Sequence, residues 1–275
     1  MNPHNIFLGT SGWSYKEWEG PFYKKGEKTK LRAYSRVFPT VEIDSTWYRY
    51  PSKGMVMGWL RYSPANFVFT AKIPKKITHE KKLGLKGDIQ DDITAFLELM
   101  EPLQLNGKLA CLLTQLPPSY SYNIENLKAY FEMLPPQFRF AIEFRNLTWI
   151  RDETWDLLKE HDVAYVNVDE PLLPPEVHVT TDFTYFRFHG RGSRPWFNYL
   201  YEKEELEPWV PKILKASEQT GKTYGFFNNH FHAYAPENCL GLIERLTTLT
   251  PQQQEAKKRL SRKQSGLSDY FTDNP

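Results

Sequence analysis

Eight short apolar runs, most of them followed by an amphipathic stretch, limit what this chain can fold into. The runs are IFLGT (6–10), TVEID (40–44), FVFTAK (67–72), KLACLLTQL (108–116), RFAIEF (139–144), VAYVNVD (163–169), TYFRFHG (184–190) and TYGFFNN (223–229). Helical periodicity falls between them at 28–37, 53–62, 89–101, 123–133, 152–161, 203–220 and 236–248, with Asn123 and Asp152 as expected N-caps. Only the sixth gap, EPLLPPEVHVTTD, is too proline-rich for a regular helix. Strands alternating with helices at this spacing predict an α/β fold, a (β/α)8 TIM-type barrel over residues 1–250. An open doubly wound sheet is the competitor. However, GTSGWS after the first run is not the GxGxxG phosphate turn, so no nucleotide cofactor is expected. After Thr250 the core periodicity stops, and residues 251–275 read as a flexible, disordered tail.

Charge narrows the partners. A net charge of +2 over 275 residues is not that of a polycation, so any nucleic-acid surface must be local. The two cysteines, Cys111 and Cys239, sit in apolar runs and are expected as buried free thiols rather than a disulfide or zinc knuckle. The start, MNPHNIFLGT, has no signal-peptide pattern, and no apolar stretch is long enough for a bilayer; a cytoplasmic protein without membrane contact is expected.

In such a barrel the chemistry lies where strands end and βα loops begin. Residues two apart on a strand share a face. The strand ends then offer Glu42 and Asp44, Thr70 and Lys72, Gln115, Glu143 and Arg145, Asn167 and Asp169, Arg187 and His189, and finally Asn228, Asn229 and His230. The intervening Val41, Ile43, Phe69, Ala71, Ile142, Phe144, Phe186 and Phe188 suit the helix-facing side. One such pair, Glu143 with Arg145 for instance, is explained by a structural salt bridge. Polar groups on one parity of six strands point to a pocket, because buried charge is costly unless paired or used.

The loops above that pocket mix aromatic and basic residues. Trp13 and Tyr15 follow the first run, Trp47 and Tyr48 the second, Lys75, Lys76 and His79 the third, and Arg191, Arg194 and Trp196 the seventh. Aromatic faces interleaved with cations suit a single-stranded or flipped-out nucleotide. The plainer reading packs these rings onto the barrel rim. Sugars also stack on Trp and Tyr, and the basic loop tilts the choice toward an anionic ligand.

In order and spacing, GTSGWSYKEWEGPFY, YSRVFPTVEIDSTWYRYP, FTAKIPKKITH, QLPPS, AIEFRNLTW, YFRFHGR and FFNNHFHAYAPENCL resemble the YecE-like family, DUF72, over roughly residues 5–249. The resemblance implies a TIM-type barrel with a polar pocket at the strand ends and brings no settled activity with it. Asp44 stands where asparagine is expected in many members, adding a carboxylate. Likeness to endonuclease-IV-type barrels suggests a nuclease by analogy.

Phosphodiester hydrolysis needs an activated water, charge neutralisation and help for the leaving group. Glu42, Asp44, Glu143 and Asp169 are the expected bases or holders of one or two Mg2+ or Mn2+ ions, if a metal is used at all. Lys72, Arg145 and Arg187 would neutralise phosphate, His189 would serve as acid, and Asn229 completes the candidate set. A three-zinc cluster is not expected, since HFH alone has no zinc spacing. A carbohydrate- or metabolite-processing barrel would use Glu143 and another carboxylate as its acid–base pair.

The tail adds a partner. QSGLSDYF (264–271) fits Gln-x-x-aliphatic-x-x-aromatic-aromatic and resembles the box that binds the sliding clamp PCNA. A tight helical turn would present Leu267, Tyr270 and Phe271 as a plug, with Gln264 over a polar pocket of the clamp. A self-docking tail is the alternative. The expectation is thus a clamp-bound DNA-processing protein, a nuclease or phosphodiesterase of repair or replication. Its rivals are a non-catalytic clamp adaptor and the sugar-processing barrel.

Overall fold

The computed structural model describes residues 5–193 and 195–271, with side chains described as far as Ser261. Eight parallel strands, β1 (Ile6–Thr10), β2 (Thr40–Ile43), β3 (Val68–Lys72), β4 (Leu109–Gln115), β5 (Phe140–Glu143), β6 (Val163–Asp169), β7 (Phe183–Phe188) and β8 (Lys222–Phe227), form one sheet in the order β1-β8-β7-β6-β5-β4-β3-β2. They are buried on both faces, which is why each reads as an apolar run rather than as an alternation.

The seam between β1 and β2 closes the barrel. A bridge joins Ser11 to Glu42, and the Gly12 N–H donates to the Glu42 carbonyl at 2.8 Å. Gly9 is required there, because a Cβ would run into the carbonyl oxygen of Thr40. The Tyr34 hydroxyl ties the same seam, accepting from the Thr10 N–H at 2.8 Å and donating to the Thr40 carbonyl at 3.1 Å.

Among the described residues ten α-helices cover the outside: α1 (Lys30–Tyr34), α2 (Ser45–Tyr48), α3 (Lys53–Tyr62), α4 (Gln90–Leu105), α5 (Ile124–Glu132), α6 (Asp152–Glu160), α7 (Lys203–Leu206), α8 (Trp209–Gln219), α9 (Tyr234–Leu246) and α10 (Pro251–Phe271). Asn123 caps α5 by accepting from the Asn126 N–H at 3.1 Å, as expected. Asp152 instead lies inside the first turn of α6, where its charge suits the helix dipole. The helix expected over 203–220 is two, with Pro208 between them. The segment between β6 and β7 holds no helix, in keeping with its prolines.

The structure departs from the sequence expectation over residues 251–260. The segment expected as a disordered tail begins as helix α10, and Gln253, Ala256 and Leu260 are buried against the barrel. The Gln253 amide donates to the Val37 carbonyl at 3.0 Å. Three buried side chains spaced by three and four residues make a narrow stripe. In PQQQEAKKRL that stripe holds one Gln, one Ala and one Leu, too little apolar content to stand out in the sequence. The side chains of Gln264, Leu267, Tyr270 and Phe271 lie outside the described residues.

Candidate active site

Strand register decides which side chains reach the barrel interior. Ala141 pairs with Ala164, Val166 with Tyr185 and Val168 with Arg187, and these residues share the inner face with Cys111, Leu113 and Phe226. Continuing that parity past the strand ends brings Glu143, Arg145, Glu170, Arg187, His189 and Asn228 to the mouth. Glu42 and Lys72 arrive from β2 and β3, with Asp44 just beyond β2.

A fully buried guanidinium is the hub. Arg187 Nη2 donates to Glu42 Oε1 at 2.7 Å, and Nη1 to Glu143 Oε2 at 2.5 Å. Glu42 also accepts from Ser11 and, at 2.7 Å, from the Tyr185 hydroxyl, which Thr70 contacts at 2.9 Å. Burial opposes the Arg187 charge, but the two carboxylates hold its pKa above the ordinary value.

A second guanidinium extends the network. Arg145 Nε donates to Glu143 Oε1 and Nη1 to Glu170 Oε2 at 2.6 Å. Burial alone would raise Glu143; Arg145, Arg187 and His189 outweigh it and hold the carboxyl well below the usual range. Glu170 goes the other way: burial raises it to about 7 despite Arg145, and its Oε1 is buried with no partner among the described residues. His189 lies 3.2 Å from Glu143 Oε1 and 2.9 Å from Arg145 Nη2, while the Asn228 amide approaches its Nδ1 at 3.1 Å. Burial and the Arg145 charge push this imidazole down to about 3, so it is neutral at ordinary pH and does not match the expected acid.

At the rim, Lys72 Nζ binds Asp44 Oδ1 at 3.0 Å. Burial raises the Asp44 carboxyl, but Lys72, Arg187 and His230 outweigh it and lower its pKa. The Trp47 ring lies 5.2 Å from the Lys72 ammonium and 6.0 Å from that of Lys75, and the His79 ring stands perpendicular to it with the ring centres 5.0 Å apart. Trp47 Nε1 is buried without a partner among the described residues. Burial and Lys72 lower His79 to about 4, so it too is neutral. Tyr48 projects into solvent, 65% exposed.

Other candidates do not join this cluster. Asp169 lies on the opposite parity, beside Phe188 in register, where it accepts from Arg191 at 2.8 and 2.7 Å and from the Trp209 indole at 2.5 Å. That contact also occupies Arg191, expected as a nucleic-acid-binding residue. Asn229 faces outward, donating to the Tyr199 carbonyl and to Asn238, each at 2.8 Å. Asn167 accepts from the His178 N–H at 2.7 Å on the same outer side. Lys76 pairs with Asp92 at 2.6 Å on the outer surface. Trp13 packs edge-on against Trp59 and Phe69, and Tyr15 stacks on His230 at 4.6 Å, as the plainer rim reading has it. Trp196 is half-buried in the loop after β7, and Arg194 lies outside the described residues.

Sequence reasoning missed Ser11, Tyr185 and Glu170. VAYVNVDE carries polar residues on both parities, and only the pairing of β6 with β5 and β7 selects Glu170 over Asp169. The divalent-ion expectation does not fit this donor set. Arg187 stands between Glu42 and Glu143, Asp169 is on the other face, and no three His, Cys, Asp or Glu side chains converge as ligands among the described residues. No helix among the described residues is long and apolar enough to cross a membrane.

Comparison with known proteins bears on the whole barrel. The chain is similar to a DUF72 family protein of Thermotoga maritima of solved structure, with 35% identity and a TM-score of 0.81 over 88% of this chain and 99% of that one. It is 29% identical to the UPF0759 protein YecE of Escherichia coli O157:H7 over 273 residues, 90% of this chain and 94% of the relative. An AP endonuclease, family 2, from Brucella melitensis shares the fold alone, at 10% identity and a TM-score of 0.51, covering 88% of this chain and 98% of that one. The family model described as protein of unknown function DUF72 matches residues 7–263, and the chain belongs to that family.

Proposed function

We propose that this protein is a DNA-processing enzyme that receives a single-stranded or extruded nucleotide at the barrel mouth. A sliding clamp (PCNA), bound through QSGLSDYF, brings it to DNA. The observation that carries the reading is the surrounding of Trp47: a ring flanked by Lys72, Lys75 and His79, with a buried indole N–H left unpartnered among the described residues. A nucleotide offers a π-face and an anionic oxygen together, and such a site satisfies both. The clamp half rests on the sequence pattern and on its place at the end of α10, after the basic residues Lys257, Lys258 and Arg259. A carbohydrate- or metabolite-processing barrel would draw on the same carboxylates.

The test has two arms. Purified protein is titrated with single-stranded and duplex oligonucleotides and with a neutral oligosaccharide, and is then mixed with clamp. Preferential binding of single strands, weakened by salt, and clamp capture lost on replacing Tyr270 and Phe271 by alanine are expected. Oligosaccharide binding without DNA binding would overturn the DNA reading, and clamp capture unchanged by the double replacement would overturn the tether.

A further inference from the structure

A helix that follows a strand in this barrel runs from the mouth back to the floor, the face where the strands begin. α9 does so after β8 and leaves the chain at the floor. α10 reverses that course. Thr250, Gln252 and Gln253 share a cavity with Ile6, Pro39 and Asn66, residues at or just before the starts of β1, β2 and β3. Further along, Arg259 Nη2 donates to the Phe22 carbonyl at 3.2 Å and shares a cleft with Tyr23, Lys24 and Glu27 of the loop that leads from β1 into α1. The Phe22 N–H donates to the Trp18 carbonyl at 3.0 Å, and the Trp18 indole donates to the His230 carbonyl at 2.8 Å, at the mouth. α10 therefore climbs toward the mouth, antiparallel to α1 and α9.

We propose that α10 is a strut that holds a sliding clamp, bound through QSGLSDYF, on the mouth side of the barrel, so that DNA threaded through the clamp passes beside the mouth. This rests on the clamp half of the reading above. Packing sets the direction of the strut before the pattern begins. Ala256 and Leu260 are buried, Gln253 is tied to the Val37 carbonyl at 3.0 Å, and Lys257 pairs with Glu244 on α9. Leu260 is the last buried side chain among the described residues, and Gln264 opens the pattern four residues later.

Reach then limits where the clamp can sit. Four residues span about 6 Å as helix and no more than about 14 Å when extended. The docked turns from Pro251 to Leu260 already rise about 14 Å toward the mouth. A clamp held by this pattern meets the floor only if the chain leaves its helix and doubles straight back, whereas the backbone stays helical through Phe271. A free tail starting at the floor would let the same partner sit against either face. The placement also selects the substrate: the strand that meets the Trp47 ring is one opened next to the clamp.

The experiment measures distance on the full chain with PCNA and no DNA. Both cysteines of the protein are buried, so a third placed on the surface takes the label. A donor dye goes on Tyr48→Cys at the mouth or on Asn66→Cys at the floor, both exposed positions, and an acceptor goes on PCNA. Energy transfer should give a distance shorter from position 48 than from position 66 by on the order of 10 Å. A flexible Gly-Ser linker of about eight residues inserted between residues 261 and 262 should keep clamp capture and erase that difference. An equal or longer distance from position 48 without the linker would overturn the placement while leaving capture, and the clamp reading, intact. A difference that survives the linker would overturn the strut as its cause. Absence of capture in the wild type would remove the clamp reading, and the placement with it.

Discussion

Arg187 on β7 and Glu42 on β2 meet across the barrel at 2.7 Å, and both side chains are fully buried. The same guanidinium holds Glu143 on β5 at 2.5 Å, so one cation ties three strands that are not neighbours in the sheet. Replacing Arg187 by Met leaves Glu42 buried without its counter-ion and Glu143 with Arg145 alone, which costs about 3–5 kcal/mol. Equilibrium urea unfolding should show that loss. Arg187→Lys should recover little of it, because one ammonium cannot present a planar fork to both carboxylates. A loss under 1 kcal/mol in Arg187→Met would mean the hub does not support the fold.

Glu170 and His189 tilt stability with pH in opposite directions. Glu170 is raised in the folded state to about 7 from an ordinary value of 4.5, so the stability it adds is full below 4.5 and is lost as pH climbs through 7. His189 is lowered to about 3 from 6.5, so its contribution is full above 6.5 and is lost as pH falls toward 3. Glu170→Gln should therefore raise the melting temperature at pH 8 and leave it nearly unchanged at pH 4. At roughly 1.4 kcal/mol per pKa unit, the gain at pH 8 is on the order of 3 kcal/mol. Thermal scans of both proteins across that range decide it; an equal shift at both pH values would contradict the assignment.

The barrel was legible in the sequence because its strands are buried on both faces and separate cleanly from amphipathic helices. The inward residues of β5 and β7 were legible too, since Ile142, Phe144, Phe186 and Phe188 leave one polar parity. On β6 that contrast fails: Val166 and Val168 face inward, while Asn167 and Asp169 are polar and face the helices. Helix-side polar residues can be satisfied locally, as Asp169 is by Arg191 and Trp209. Polarity alone therefore does not mark the inner face. The docking of α10 was hidden for a different reason, because alanine and glutamine contribute to it as much as leucine does.

Asp169 separates those two positions experimentally. Asp169→Asn weakens the anchor of the loop after β7 and should cost about 1.5–3 kcal/mol, the range for hydrogen bonds to a charged group. Limited proteolysis should then cut between residues 191 and 200 faster than in the wild type. If Asp169 belonged to the reacting centre instead, the same variant would leave cleavage of that loop unchanged.

The first turns of α10 should behave as part of the core. Leu260→Ala removes a side chain only 3% exposed and should cost about 2–5 kcal/mol. Truncation after Thr250 should lower the melting temperature, whereas removal of a free tail would not move it. Ending the chain at residue 263 deletes the clamp-binding pattern and keeps Leu260, so unchanged stability with lost clamp capture is the expected pair of results.

Trp47 offers a stacking face and a hydrogen-bond donor on one side chain, and two variants take them apart. Trp47→Ala removes both and should weaken single-stranded oligonucleotide binding by about 1–3 kcal/mol, the value of one stacked base. Trp47→Phe keeps an aromatic face and loses Nε1, so it should retain much of the stacking contribution. Neither change removes a positive charge, and the slope of log affinity against log salt should stay as in the wild type. Lys75→Ala takes away one ammonium near the same ring and should flatten that slope by about 0.7, the single-strand value for one phosphate contact. Fluorescence titrations at several salt concentrations measure all three, and a slope that changes in Trp47→Ala but not in Lys75→Ala would mean that the phosphate does not sit beside this ring.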